Sequence, residues 1–320
     1  MKILKGYRFK IYPDEEQKRF FIQTFGCVRF TYNYLLKAAK KPDNRSEGKV
    51  ITPAMLKRDY PFLKATDSLA LANAARNLDR AFKNYFSGRS GYPKLKNKKS
   101  AWQSYTTNNQ NGTVAIEGNQ LKLPKLRGRV MICCHRPVLG TIKSVTISAK
   151  NNQEFYVSLL CVEEVKSLPK TNREIQIYFH PEKLISEDIE QLSIQHLEQT
   201  QQKINKLTRR LELKARCARK RKVRLSQAKN YQKLKARLAK HQTLQHNQMQ
   251  DYLNQLSTLL IRTYDVINFV EPLPVYKKSL VNIQEAHLFS LNEWHQLMRM
   301  LKYKAAWYGK EFKVVFSTQA

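Results

Sequence analysis

Between residues 203 and 240 the chain sets 16 lysines and arginines against a single acid, Glu212. The chemistry open to such a run is neutralisation of a polyanion. Each cation that meets a phosphate releases condensed counterions, a gain that needs no particular base sequence. Leu207, Leu211, Leu234 and Leu238 recur within it at helical spacing, which predicts a long basic helical hairpin with an apolar seam and a cationic outer surface. Arg209, Arg210, Arg219, Lys220, Arg221, Lys222 and Arg224 are its candidate contacts to a nucleic-acid backbone. A second run, "PKLKNKK", offers Lys94 and Lys96 beside Lys98 and Lys99. A lysine loop of this kind serves solubility as readily as phosphate binding.

Thiol and metal chemistry are poorly provided for. The five cysteines, Cys27, Cys133, Cys134, Cys161 and Cys217, are odd in number and contain no CxxC pair, which argues against a disulfide framework and against a zinc site. Cys133, Cys134 and His135 are adjacent, but alternation along a strand points neighbours to opposite faces. Reduced structural thiols are expected.

The elements around these residues follow from length and pattern. With 320 residues and 42% hydrophobic content, the chain can bury a sizeable core in two or three domains. Its 58 Lys and Arg against 25 Asp and Glu leave a net charge of +33, self-repulsive unless a polyanion neutralises part of it. No run of about 18 apolar residues exists and the amino terminus has no apolar signal region, so a soluble, intracellular protein with a nucleic-acid partner and no membrane is expected. "ILKGYRFKIYP" alternates as a strand, and "DEEQKRFFIQTFGCVRFTYNYLLKAAKK" then reads as a helix with acids in its first turn. After a polar loop at 40–50, "PAMLKRDYPFL" and "SLALANAARNLDRAFKNYF" are two more helices, closed by Gly88 and Gly91. The period then becomes two through "GTVAIEG", "QLKLPKL", "RVMICCH", "IKSVTISA" and "EFYVSLLCV", with a hairpin signal at Asn151 and Asn152. Beyond the basic hairpin come a buried-strand pattern in "YDVINFVEPLPVY", a helix opened by Ser290 and Glu293 as a capping box and ended by Gly309, and a last strand, "FKVVF". Phe20, Phe21, Phe25, Phe30, Tyr32 and Tyr34 hold mostly helical core spacing, which favours packing over base stacking.

Several segments in order resemble one family. "NLDRAFKNYFSGRSGYPKLK", "HRPVLGTIKSVTISAKNNQEFYVSLLC", "LSTLLIRTYDVINFVEPL" and "LKYKAAWYGKEFKVV" are similar to TnpB, the RNA-guided nuclease of bacterial transposons. The resemblance implies an α/β multidomain fold: a β-barrel wedge domain (1–10 and 91–165) with an inserted helical recognition domain (11–90). A degenerate RNase H-like (RuvC) domain (171–320) follows, carrying the basic helical hairpin in an insertion at about 190–262. It implies a guide RNA derived from the transposon end and a double-stranded DNA target opened into an R-loop. A location in the bacterial cytoplasm, with the nucleoid, goes with it. By the same resemblance the helical module and its neighbours read a short motif flanking the target, with Tyr60, Asn73, Arg76, Thr106 and Thr107 as the residues placed to do so.

The resemblance also poses a question of chemistry. The family's nuclease holds divalent ions on three carboxylates, which activate water and stabilise the leaving oxygen. Laying "IQIYFH" on the family's "xGIDxG" strand puts Tyr178 at the first aspartate, with Gln176 and His180 at the two glycines. A phenol with a pKa near 10 is a poor ligand for Mg²⁺. Glu271 falls on the second carboxylate, with Pro272 where an acid should follow, and a register one residue earlier would put Val270 there. The chain stops at "VVFSTQA", ahead of the zinc ribbon and the third aspartate. Glu174, Glu182, Glu187 and Asp188 are the nearby acids that would have to substitute. The expectation is therefore a nuclease-dead protein, similar to the TnpB-like repressors, that binds guide RNA, occupies DNA without needing a metal, and represses transcription. The alternatives are an active RuvC endonuclease with a displaced ligand, an RNA-independent helix-turn-helix DNA-binding protein, and a transposon remnant. The oligomeric state is not legible in the sequence.

Overall fold

Strand β1 (Lys2–Tyr12) turns Ile3, Tyr7, Phe9 and Ile11 to one face, as its alternation predicts. In this computed structural model, which describes residues 1–39, 51–185, 192–271 and 288–316, that strand is the spine of the first of two units, residues 2–164. The loop expected at 40–50 lies outside the described residues. Strands β2 (Trp102–Asn108), β3 (Ala115–Glu117), β4 (Gln120–Lys122), β5 (Val130–Cys133), β6 (Thr141–Lys150) and β7 (Glu154–Glu164) complete a sheet of order β2-β6-β7-β1-β5-β4-β3. β1 pairs antiparallel with both β7 and β5. The sheet is open, with β2 and β3 at its edges, where the alternating strands predict a β-barrel or a curved sheet. Asn151 and Asn152 turn the β6–β7 hairpin at φ 50° and 55°, the left-handed pair that matches the twist of the flanking strands.

Helix α1 (Glu15–Ala38) starts at Asp14, whose side chain accepts from Gln17 N at 2.8 Å while the Gln17 side chain returns to the Asp14 amide. Helix α2 (Pro53–Asp59), a 3₁₀ turn (Pro61–Ala65) and helix α3 (Ser68–Phe86) follow. The helical module expected as a domain of its own shares one core with the sheet. Phe21 meets Phe155 of β7 at 5.8 Å between ring centroids, and Phe25 meets Tyr105 of β2 at 5.8 Å.

The second unit, residues 165–320 with Met1, is built on a three-stranded parallel sheet of order β12-β11-β8. Its strands are β8 (Glu174–Ile177), β11 (Val266–Glu271) and β12 (Glu311–Phe316), and β9 (Phe179–His180) and β10 (Leu184–Ile185) form a small hairpin after β8. Between β10 and β11 run the two long helices α4 (Gln195–Lys220) and α5 (Lys229–Thr263). Helix α6 (Leu291–Tyr308) precedes β12, opened by the expected Ser290–Glu293 capping box and ended by Gly309 at φ 69°. Its Trp294 lies flat on Phe269 of β11, with centroids 4.0 Å apart, over a core that includes Ile175, Ile177, Ile267 and Leu297. Lys304, on the same helix, is buried against α5 and donates to Asn254 O, Ser257 Oγ and Thr258 Oγ1 at 2.7–2.9 Å. Burial lowers its pKa to about 8.

One carboxylate ties the leading ends of the three parallel strands together. Asp265 accepts from the amides of Thr171 (2.7 Å) and Asn172 (2.6 Å) and from the Lys310 ammonium, while Glu311 N donates to its carbonyl at 2.8 Å. The bonds to its carboxylate, that of Lys310 first and then those of the Asn172 and Thr171 amides, depress its pKa to about 2. A carboxylate depressed in the folded state lends stability above its unfolded pKa and loses it as pH falls through the folded one. In acid titrations the thermal midpoint of Asp265→Asn should thus lie below wild type at pH 7, and the difference should shrink from about pH 4 down to pH 2. A constant difference across that range would refute the assignment.

Candidate functional site

The basic hairpin forms as the sequence predicts. Ile204 and Leu207 of α4 pack on Leu238 of α5, with Leu211 and Leu234 beside them. Arg209, Arg210, Arg219, Lys220, Arg221, Lys222 and Arg224 are all exposed. None of the 16 cations between 203 and 240 makes an ion pair among the described residues. At the tip Lys222 N donates to Arg219 O (2.9 Å) and Val223 N to Ala218 O (3.0 Å), with Lys222 at φ 54°. That left-handed residue reverses the chain and brings five cations, Arg219 to Lys222 and Arg224, onto one turn.

In the first unit Lys94 and Lys96 are exposed. The Lys96 backbone is held by Asn33 through bonds of 2.8 and 3.0 Å, and its ammonium lies 4.5 Å from the Tyr32 ring centroid. Desolvation lowers its pKa.

The residues expected to read a flanking motif fare unequally. Arg76 is exposed and makes no ion pair among the described residues. Tyr60 packs edge-on to Phe30 and Tyr34, at 4.9 and 5.6 Å, and its bond with the Tyr34 hydroxyl raises its pKa. Thr106 shares a hydrogen bond of 2.8 Å with Thr146 across the β2–β6 pair. Two expectations need correction. Thr107 is buried, and its hydroxyl donates to Asp67 at the start of α3, so it has no surface to offer a base. Asn73 donates to Thr106 O at 2.9 Å and Asn108 Oδ1 at 3.3 Å, which makes its amide a strut between α3 and β2.

Strand geometry places the residues around the expected carboxylates. Ile175 and Ile177 are buried and Glu174 and Gln176 exposed; Tyr178, at the junction of β8 and β9, continues the exposed series at 43% exposure. β11 runs parallel to β8 with Phe269 opposite Ile177, so one further step sets Val270, not Glu271, beside Tyr178. Glu271 falls on the Phe269 side, where its Oε1 lies 3.1 Å from Nε2 of His295 on α6. Of the other acids, Glu174 accepts from Asn268 Nδ2 and Glu182 is exposed in the turn after β9; Glu187, Asp188 and Pro272 lie outside the described residues. His180 accepts at Nδ1 from the amides of Glu182 and Lys183, both at 3.2 Å. A pair of divalent ions needs carboxylate oxygens converging on one point at fixed distances. No three His, Cys, Asp or Glu side chains gather among the described residues, and Glu271 stands apart from Tyr178, on the opposite face of the sheet.

A family described as a helix-turn-helix domain, of the OrfB type of IS605 elements, matches residues 1–42. Over 98% of its length the chain is 29% identical to a Streptomyces pristinaespiralis protein named as a candidate RNA-guided DNA endonuclease, covering 78% of it. InsQ of Escherichia coli K12, named in the same way, is 24% identical over 98% of this chain and 81% of its own. The Salmonella dublin virulence protein VsdF is 36% identical over 110 residues, 87% of its length. The chain is a homologue of the TnpB/OrfB family. A cryo-EM structure of a Cas12f1–sgRNA–target DNA complex shares the fold, with a TM-score of 0.59 over 95% of this chain and 74% of that one at 11% identity. Within residues 1–39 the TnpB homologue has a strand followed by one helix. Among the described residues no helix is long and apolar enough to cross a membrane.

Proposed function

We propose that this TnpB homologue is an RNA-guided, nuclease-dead DNA-binding protein that occupies a guide-complementary site next to a short flanking motif and represses transcription. The observation that carries the reading is Tyr178. A phenol stands on the exposed strand face where the family holds its first aspartate, and Glu271, the relic of the second, is turned to His295 on the other face. Loss of the ions leaves binding intact, because target choice comes from pairing with the guide and from contacts to backbone and flanking motif. In this reading residues 1–10 and 91–165 are the wedge domain, 11–90 the recognition domain and 171–320 a RuvC-like domain. The guide RNA lies on cations such as those of the α4–α5 tip, the DNA partner forms an R-loop, and the protein works beside the nucleoid.

The reading is tested by expressing the tagged chain with its native flanking DNA and sequencing the RNA that copurifies. One abundant species, structured at one end and with a short variable stretch at its 3′ end, is the expected result. Heterogeneous RNA, or none protected, would overturn guided binding in favour of an operator-binding protein. The names of the relatives favour a second reading, an active endonuclease; it requires Mg²⁺-dependent cutting that disappears in Glu271→Ala.

A further inference from the structure

We infer that Phe82, Tyr85, Phe86 and Tyr92 form a platform on which unpaired bases of RNA stack. The buried stripe of α3 runs through Ala70, Leu71, Ala74 and Leu78 and then ends. The next apolar positions along the helix leave the core, with Phe82 half-buried, Tyr85 39% exposed and Phe86 77% exposed. Gly88, at φ +70°, then closes the helix: its amide donates to Tyr85 O at 3.0 Å and that of Arg89 to Asn84 O at 2.9 Å. The reversal returns Tyr92 to the helix end, where its ring stands edge-on to Phe82 at 5.7 Å and to Tyr85 at 5.2 Å. Phe86 contacts Phe82 at 6.2 Å and Tyr85 at 5.3 Å. The rings thus brace one another.

A single exposed aromatic needs no explanation, but three exposed rings linked with a fourth, each touching two others, mark an interaction surface. The surrounding charge names the occupant. From Arg80 to Lys99 the chain holds Arg80, Lys83, Arg89, Lys94, Lys96, Lys98 and Lys99 and no acid, and none of the seven makes an ion pair among the described residues. Ring faces fringed by cations suit a single strand, whose bases offer their own faces while the cations follow the phosphates. In a duplex those faces are already stacked, so the surface selects unpaired nucleotides, the usual target of aromatic side chains in RNA. The inference rests on the nucleic-acid-binding part of the proposed function but assigns a site and a chemistry that the guided reading does not require.

The test is photocrosslinking of the full-length protein to a short single-stranded RNA carrying 5-bromouridine, with the adducts mapped by mass spectrometry. Adducts on Tyr85, Phe86 or Tyr92 are expected. Phe86→Leu, which keeps an apolar side chain without the ring, should lower the yield at this site about five-fold or more, Phe86→Trp should keep it, and neither should change the salt dependence of binding. Adducts confined to the α4–α5 tip, adducts on the platform with single-stranded DNA alone, or a Phe86→Leu protein that crosslinks as wild type would overturn the platform and leave the proposed function standing. No adduct anywhere would overturn both.

Discussion

A variant with Arg219, Lys220, Arg221, Lys222 and Arg224 all changed to glutamine should bind RNA about a hundred-fold more weakly at physiological salt, and the slope of log affinity against log salt should flatten by about 3 to 5. All five side chains are exposed and none is ion-paired among the described residues, so no folded-state contact of theirs is lost. The helices that carry them are seated at their other end, on Ile204, Leu207 and Leu238 and on the core that takes Leu253, Leu256 and Leu260. The thermal midpoint should therefore hold, or rise slightly as like charges are removed from one turn. Filter binding across a salt series reads the slope directly. An unchanged slope would mean that the tip does not touch phosphate and that the excess charge of the hairpin is only a solvated surface.

Gly140→Ala should cost more than about 4 kcal/mol and leave the first unit unfolded or insoluble. Gly140 sits at φ +80° just before β6, and a Cβ there would lie 2.1 Å from Val162 O and 2.9 Å from Val162 C, both backbone atoms of β7. That strand has little freedom to step aside, because it pairs with β1 from Phe155 to Glu164 on one side and with β6 from Glu154 to Val162 on the other. Gly118→Ala is the comparison: φ is +57° but nothing lies within 4 Å of the added carbon, so only backbone strain of about 1–2 kcal/mol applies. Circular dichroism melts of the two variants should separate widely; equal melts would show that the β6–β7 edge is looser than its geometry implies.

The elements that announced themselves carry strong period or strong local chemistry. The helix with an acidic first turn that is α1, the capping box at Ser290, the Asn151–Asn152 turn, Gly309 and the leucine seam of the hairpin all appear where spacing put them. What stayed hidden depended on contacts made across the chain. β2 places Thr107 at a core position two residues after Tyr105, so a hydroxyl that looked available to a base is buried on Asp67. Asn73 looked like a surface reader on α3, and only the packing of that helix against β2 assigns its amide to Thr106 and Asn108. The turn of Glu271 toward His295 needed the β11–β8 register and the position of α6, neither of which a strand pattern contains. The aromatic group at the end of α3 read as one more stretch of helix because periodicity says which residues share a face, not where the core stops. Asp265 lies within a segment that reads only as a buried strand, and its hold on Thr171, Asn172 and Lys310 joins segments that lie far apart in the sequence.

The central claim is that a TnpB-like protein keeps guided DNA occupancy after its metal site is gone. The most direct measurement incubates the purified protein, with the RNA that copurifies, on duplex DNA carrying the guide-complementary sequence and its flanking motif, once with Mg²⁺ and once with EDTA. The same footprint over the target in both conditions, with both strands intact, is the predicted result. Mg²⁺-dependent cutting of either strand would contradict it, and would favour the active endonuclease, whose cutting should disappear in Glu271→Ala.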